Sequence, residues 1–375
     1  MNILIASGIF HPDPGGPATY LYRLLPELQK RGHQIRVLTY GNAPVDHYPY
    51  PVTRIPFGRE PFSRWIRFAF TYRRLASWAE VIYLNTFGLP RGGDQHKRKI
   101  MKVVGDYAWE RCVTRGWIAS TEDIDHFQTR RYSPRVELYK RNRTRDAAAM
   151  ERVITPSAYL REMVMGWGVP GQQVQVIYNA LEPNWGVPLL DKMQARIQLG
   201  WKAQGQYLFT AARLTAWKGV NYLIDALDAV PRVFLVVGGD GPEQGVLRQQ
   251  TVNRGVADRV IFTGRLSASQ MALTMRASDY VALYSGYEGL SHTILEALQV
   301  GTPVIVSARG GNPEIVRDQV NGLLVAHPDL GALRETLQNA FRAGTPERLA
   351  SGTSVGLERF SWPDLVEQTM RVLEG

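Results

Sequence analysis

Short apolar runs rich in β-branched residues recur along this chain, each separated from the next by a segment long enough to hold a helix. They fall at residues 3–7, 34–39 and 80–85 in the first half, and at 207–212, 233–238, 259–264, 280–284 and 303–307 in the second. This alternation leaves few folds open. Parallel neighbours need a crossover of helical length, so the pattern predicts parallel sheets with helices on both faces, an α/β class. A further short strand is expected in KIMKVVGDYAWE, ending at Gly105. With 375 residues and 45% hydrophobic content the chain can fill two cores. The expected boundary lies near 180–190, where ALEPNWGVPLL carries two prolines and a glycine, so the halves are 1–185 and 186–359. The closing segment, FSWPDLVEQTMRVLEG over 360–375, reads as an amphipathic helix with Ser361 at its N-cap and Pro363 in its first turn. Strand order is not readable from this pattern.

No uncharged apolar stretch of about 18 residues occurs, so a membrane-spanning helix is not expected. The opening MNILIASGIF lacks a basic leader and runs straight into a strand pattern, unlike a signal peptide. Cys112 is the lone cysteine, which excludes an internal disulfide and fits a reducing, cytoplasmic setting. The seven histidines are scattered, without metal-ligand spacing. Residues 1–185 hold 26 Lys and Arg against 16 Asp and Glu, whereas 186–375 hold 18 of each, so the whole formal charge of +10 lies in the first half. Such asymmetry points to an anionic lipid surface or lipid-linked acceptor, which would place the protein at the inner face of a membrane, or to ordinary solubilising charge. Nucleic acid is disfavoured, because no recognised module is visible and the arginines are dispersed among acids. In PFSRWIRFAFTYRRLASWAE (61–80), Trp65, Phe68, Tyr72, Leu75 and Trp78 keep helical spacing among Arg64, Arg67, Arg73 and Arg74. Two readings stay open there: an interfacial basic helix, or a plain helix covering the sheet ahead of EVIYLN.

The second half carries the chemistry. Glu288 and Glu296, eight positions apart, lie in SGYEGLSHTILEALQVGTPVI, the first in a glycine-containing loop and the second about two turns inside a helix. A helix start flanked by carboxylates suits a polyhydroxylated ligand joined to an anion: the amides take the anion, and the carboxylates accept hydroxyl hydrogen bonds. Nucleotide sugars are ligands of this kind. Upstream, a strand leads into a loop with Arg213 and Lys218 beside Gly219, a guanidinium fork and a mobile ammonium able to hold a diphosphate. Next come VFLVVGGDGPE, with Gly239 and Gly241, and VIFTGRLS, with Gly264 and Arg265; both also fit ordinary strand-end turns. Near the start, a strand, a loop with Gly15 and Gly16, a helix and a second strand follow one another. Glycines there allow close backbone approach to a phosphate, or a simple turn.

Taken in this order, these residues resemble the family 4 retaining glycosyltransferases of the two-domain GT-B fold. The resemblance covers essentially the whole chain and is most specific in the second half: Arg, four residues, Lys; then GGDGP; then Glu, seven residues, Glu. It implies two Rossmann-like domains facing each other across a cleft, with the last helix crossing back to the first domain. It implies transfer of a sugar, with retention, from a nucleoside-diphosphate sugar (UDP- or GDP-linked) to a hydroxyl of a saccharide or lipid-linked saccharide, in cell-envelope polysaccharide or glycolipid assembly. By resemblance, Glu296 accepts the ribose hydroxyls and Glu288 faces the transferred sugar. The amides of Gly289, Leu290, Ser291 and His292 meet sugar and phosphate, and the Gly15–Gly16 loop covers the phosphates. Gly239 and Gly241 pack near the nucleotide, and Gly264–Arg265 touches its base. No cofactor or metal is implied by the resemblance. Relatives often place a histidine after the middle strand of the first domain; here Gly105–Asp106 stands instead. Asp106 could orient or deprotonate an acceptor hydroxyl, or cap the helix DYAWERC. A sugar-nucleotide epimerase and a silent nucleotide-sugar binder are the rival readings. A dehydrogenase is disfavoured by the missing Gly-x-Gly-x-x-Gly.

Overall fold

The computed structural model describes residues 1–13, 15–45, 47–58, 60–181, 185 and 190–375, with the side chain of residue 61 left aside. Most of the expected interdomain stretch, 182–184 and 186–189, lies outside the described residues. The chain divides into two compact units: Met1–Trp117, Phe127–Ile177 and Pro363–Gly375 form one, and Ile118–His126 with Tyr178–Trp362 form the other.

The first unit holds seven strands: β1 (Asn2–Ala6), β2 (Gln34–Tyr40), β3 (Val52–Ile55), β4 (Val81–Leu84), β5 (Arg98–Lys102), β6 (Arg152–Thr155) and β7 (Val174–Val176). Their order is β3-β2-β1-β4-β5-β6-β7, every pairing parallel. The central strands are apolar on both faces, as a sheet covered on both sides requires: Ile3, Leu4, Ile5, Ile82, Tyr83 and Leu84 are fully buried. Helix α1 (Gly16–Lys30) follows β1, and α2 (Pro61–Trp78) precedes β4. Helix α2 buries Phe68, Tyr72, Leu75 and Ala76. The covering-helix reading of this segment is therefore met, although Trp65 lies on the exposed side. Helices α3 (Tyr107–Thr114) and α4 (Pro134–Ala148) lie between β5 and β6.

The second unit repeats the plan with β8 (Gln206–Ala211), β9 (Val233–Gly238), β10 (Val260–Gly264), β11 (Tyr280–Leu283), β12 (Val304–Ser307) and β13 (Gly322–Val325), ordered β10-β9-β8-β11-β12-β13 and parallel throughout. Helix α5 (Val220–Ala226) follows β8, and α6 (His292–Gln299) follows β11. Both sheets thus have the doubly wound order of a Rossmann domain. In that order the connections leave β1 and β4, or β8 and β11, in opposite directions. A crevice opens beyond the carboxyl ends of each such pair, where loops are free to carry ligand-binding groups.

The closing helix, α7 (Trp362–Glu374), begins where expected, with Pro363 in its first turn. From Pro363 onward it belongs to the first unit. Its buried residues Leu365, Val366, Met370 and Leu373 supply the apolar face, Glu367 reaches Arg31 at 2.8 Å, and Arg98 donates to the Leu373 carbonyl at 3.0 Å. Among the described residues no helix is long and apolar enough to cross a membrane.

Candidate functional site

At the carboxyl edge of the second sheet, three loops are built on one another through glycines. The loop after β8 donates from the Leu214 amide to the Asp240 carbonyl at 2.7 Å and from Ala212 to the Gly238 carbonyl at 3.2 Å. A Cβ on Gly239 would lie 2.0 Å from the Ala212 oxygen, and one on Gly241 2.3 Å from the Leu214 oxygen. No side chain fits at either place. The glycines of GGDGP therefore let the β9 loop press its backbone against the loop that carries Arg213. The third loop joins through the Gly239 amide, which donates to the Gly264 carbonyl at 2.7 Å; Gly264 itself has φ +69°. Arg265 pairs with Asp240 at 2.7 Å on the surface of the same rim.

Arg213 is exposed on this rim, and among the described residues its guanidinium makes no ion pair. Lys218 ends a single 3₁₀ turn, Ala216–Lys218, and Gly219 follows with φ 68°. A Cβ on Gly219 would sit 1.8 Å from the Tyr284 oxygen, and the Gly286 amide donates to the Trp217 carbonyl at 2.8 Å. The loops after β8 and β11, neighbours across the point where strand order reverses, are thus locked together. The result is an ion pair: Lys218 Nζ lies 2.6 Å from Glu288 Oε1, with the side chains 21% and 11% exposed. Two residues seventy positions apart share one charge contact because β8 and β11 are adjacent.

Glu288 and Gly289 are held from a further side that sequence patterning did not reveal. The Gly311 amide donates to the Glu288 carbonyl at 2.9 Å. Cβ atoms on Gly310 and Gly311 would come within 2.1 Å of the Glu288 oxygen and 2.2 Å of the Gly289 oxygen. The only available signal was the Gly-Gly pair after the β12 run, and glycine pairs are common turns. The Leu290 carbonyl accepts from Asn179 Nδ2 at 3.1 Å. Ser291 is the N-cap of α6, accepting from the Ile294 amide at 3.4 Å, and His292 is the first helical residue. Glu296 is half-buried and fifth in α6, little more than one turn inside rather than two. One rim thus gathers Arg213, Lys218, Glu288, the 289–292 helix start and Glu296, close to Gly239, Gly241 and Gly264–Arg265.

Beside this rim lies His327, whose ring stands 4.8 Å from that of Tyr284; a Cβ on Gly286 would approach its Cε1 to 3.2 Å. Burial and the nearby Arg309 cation push its pKa from 6.5 down to about 4. Between those two values the unfolded chain binds a proton that the folded protein refuses, so stability falls as acid is added across that window. Above pH 6.5 this residue contributes no pH dependence. The expected result is a urea midpoint that drops as pH falls from 6.5 toward 4, with a shallower drop in His327→Gln; equal slopes in both proteins would disprove it.

Gly15, Gly16 and Asp106 belong to the first unit. Gly15 has φ +150°, caps α1, and would place a Cβ 2.8 Å from Ile9 Cδ1; Gly16 begins α1 with open space around it. Asp106 is the N-cap of α3, accepting from the amides of Ala108 at 2.9 Å and Trp109 at 3.1 Å. Its other oxygen takes Gln128 Nε2 at 2.9 Å and the Arg143 guanidinium, and the side chain is fully buried. Of its two open readings the cap is the one this placement supports. A carboxylate closed in by two amides, an amide side chain and a buried guanidinium offers no face to an acceptor hydroxyl. Among the described residues no group of three or more His, Cys, Asp or Glu could hold a metal ion.

Two Rossmann-like units, one with paired cations and carboxylates at its switch point, define the class of GT-B proteins. The model of glycosyl transferases group 1 matches residues 191–351, and that of glycosyltransferase family 4 matches residues 14–185. The chain belongs to the family 4 glycosyltransferases. It is 30% identical over 235 residues to an uncharacterized glycosyltransferase of Methanocaldococcus jannaschii, a match spanning 59% of each chain. It is 26% identical over 351 residues to the alpha-monoglucosyldiacylglycerol synthase of Streptococcus pneumoniae, covering 90% of this chain and 78% of that one. Among solved structures, HepE of Anabaena in complex with UDP and glucose superposes with a TM-score of 0.78 at 22% identity, over 100% of this chain and 99% of that one.

Proposed function

We propose that this glycosyltransferase draws its sugar from a nucleoside-diphosphate donor held at the second-unit rim, and that it transfers with retention and without a divalent metal. The observation that carries the reading is the Lys218–Glu288 pair at 2.6 Å beside an exposed Arg213. A diphosphate arriving there would draw the Lys218 ammonium and the Arg213 fork to its oxygens. Glu288 would then be released to accept hydroxyl hydrogen bonds from the transferred sugar. Glu296 would take the ribose hydroxyls, and the amides of 289–292 the remaining oxygens. Negative charge grows on the diphosphate as the sugar–oxygen bond breaks. Two cations and a helix start can stabilise that charge, the task a metal performs elsewhere. UDP is the first donor nucleotide to test, since HepE was solved with it. A saccharide or lipid-linked saccharide is the acceptor class, in line with the glycolipid product of the Streptococcus pneumoniae relative.

The test is a thermal-shift panel of UDP, GDP, ADP and dTDP, each with and without magnesium. A ligand at 100 times its dissociation constant stabilises the native state by about 2.7 kcal/mol. A magnesium-independent rise with one nucleotide is expected, UDP foremost. If none raises the melting temperature at millimolar concentration, the donor site is wrongly placed.

A further inference from the structure

Helix α2 carries two apolar stripes, and the fold uses only one. Phe68, Tyr72, Leu75 and Ala76 face the sheet and are buried. Phe62, Ile66 and Phe70 recur four residues apart on a second face, with exposures of 74%, 47% and 73%, and Trp65, at the start of the first stripe, is 52% exposed. Phe57, in the loop just ahead, is 53% exposed and packs under Arg64 of the helix. Single exposed apolar residues are ordinary, but four large ones on one helix, with a fifth in the loop ahead of it, mark an interaction surface.

The charge around the patch selects its occupant. Arg64, Arg67, Arg73 and Arg74 stand on α2, and no acidic residue lies between Pro61 and Trp78. Among the described residues none of the four has an ion pair; Arg64 stacks instead over the rings of Tyr40 and Phe57, at 5.5 Å from each. A second copy of this chain is a poor match, because a two-fold interface would set the arginines of one patch against those of the other. Aromatic rings flanked by uncompensated arginines suit the boundary of an anionic bilayer. There the rings enter the acyl edge and the guanidinium groups meet lipid phosphates. We infer that the outer face of α2, with Phe57, is a docking surface that seats the first unit on an anionic membrane. This inference does not rest on the donor-site reading.

The experiment is co-sedimentation of the full chain with phosphatidylcholine vesicles, with and without phosphatidylglycerol. Binding to the anionic vesicles is expected to exceed that to phosphatidylcholine alone by about tenfold or more, and to weaken with added salt. The triple substitution Phe62→Ser, Trp65→Ser, Phe70→Ser should lower binding by at least about tenfold. Its thermal unfolding should stay close to that of the parent, since these side chains lie outside the core. Arg67→Gln and Arg74→Gln should each lower anionic-vesicle binding by about fivefold. Equal binding to both vesicle types would overturn the proposal, as would unchanged binding of the triple variant. Failure to bind vesicles, coupled with a concentration-dependent dimer that the triple variant dissolves, would overturn it in favour of a protein interface.

Discussion

Arg213→Ala and Lys218→Ala should each cut turnover by on the order of 10²–10³, the scale for losing one charge contact to a developing transition-state anion. The two cations occupy different settings, which makes the pair informative. Arg213 is exposed and unpaired among the described residues, so its removal disturbs nothing in the resting protein. Lys218 already neutralises Glu288, so its removal also leaves a carboxylate alone on the rim. Partly exposed ion pairs contribute about 1 kcal/mol or less, and the fold should survive both changes. The loss should therefore appear in kcat rather than in the unfolding midpoint. Steady-state kinetics with the nucleotide sugar chosen by the thermal-shift panel makes the measurement. Near-normal turnover in both variants would remove these residues from the chemistry.

The second large effect is expected in stability. Asp106→Ala should destabilise the protein by about 3–5 kcal/mol, because it strands the Arg143 guanidinium in the interior. The pair is buried on both sides, at 3% exposure for Arg143 and 0% for Asp106. Burial drives the Arg143 pKa down from its usual value, and Asp106 acts to raise it again. Gln128 bridges the two, and the Trp167 ring lies 4.1 Å from the guanidinium carbon. Alanine would also remove the cap from α3, which typically costs about 1 kcal/mol. Asp106→Asn should lose less, since the amide oxygen can still accept from Ala108 and Trp109. Urea unfolding of the two variants gives the comparison. A pair of variants that unfold like the parent yet lose turnover would return Asp106 to the reacting centre.

The α/β alternation was legible because it is local: an apolar β-branched run and the helix after it are written in consecutive residues. β1, β2, β4, β8 to β12 and the closing helix α7 all stand where that pattern places them, within a residue or two. β3, β6, β7 and β13 escaped notice because three or four residues carry too little periodicity to separate a short strand from a loop. The motif residues Arg213, Lys218, Glu288 and Glu296 were legible as chemical types with fixed spacing. Their assembly was not, because Lys218 meets Glu288 only once β8 and β11 pair.

Glycine shows the same division. Gly239 and Gly241 were read as making room near a nucleotide, and in the fold each makes room for a backbone oxygen of the β8 loop. The glycines were visible in the chain, but the carbonyls that forbid a Cβ come from another strand. Asp106 behaved likewise: its capping role was written in the residues just after it, whereas Arg143 arrives from a helix some 37 positions away. Helix α2 could be read as amphipathic, but which of its aromatic stripes met the sheet depended on where the sheet lay. The sequence by itself determined the elements, the charge imbalance and the kinds of group at the site, since these depend on neighbours along the chain. Strand order, the ion pair at the switch point and the uncovered face of α2 depend on neighbours in space, so only the tertiary structure decided them.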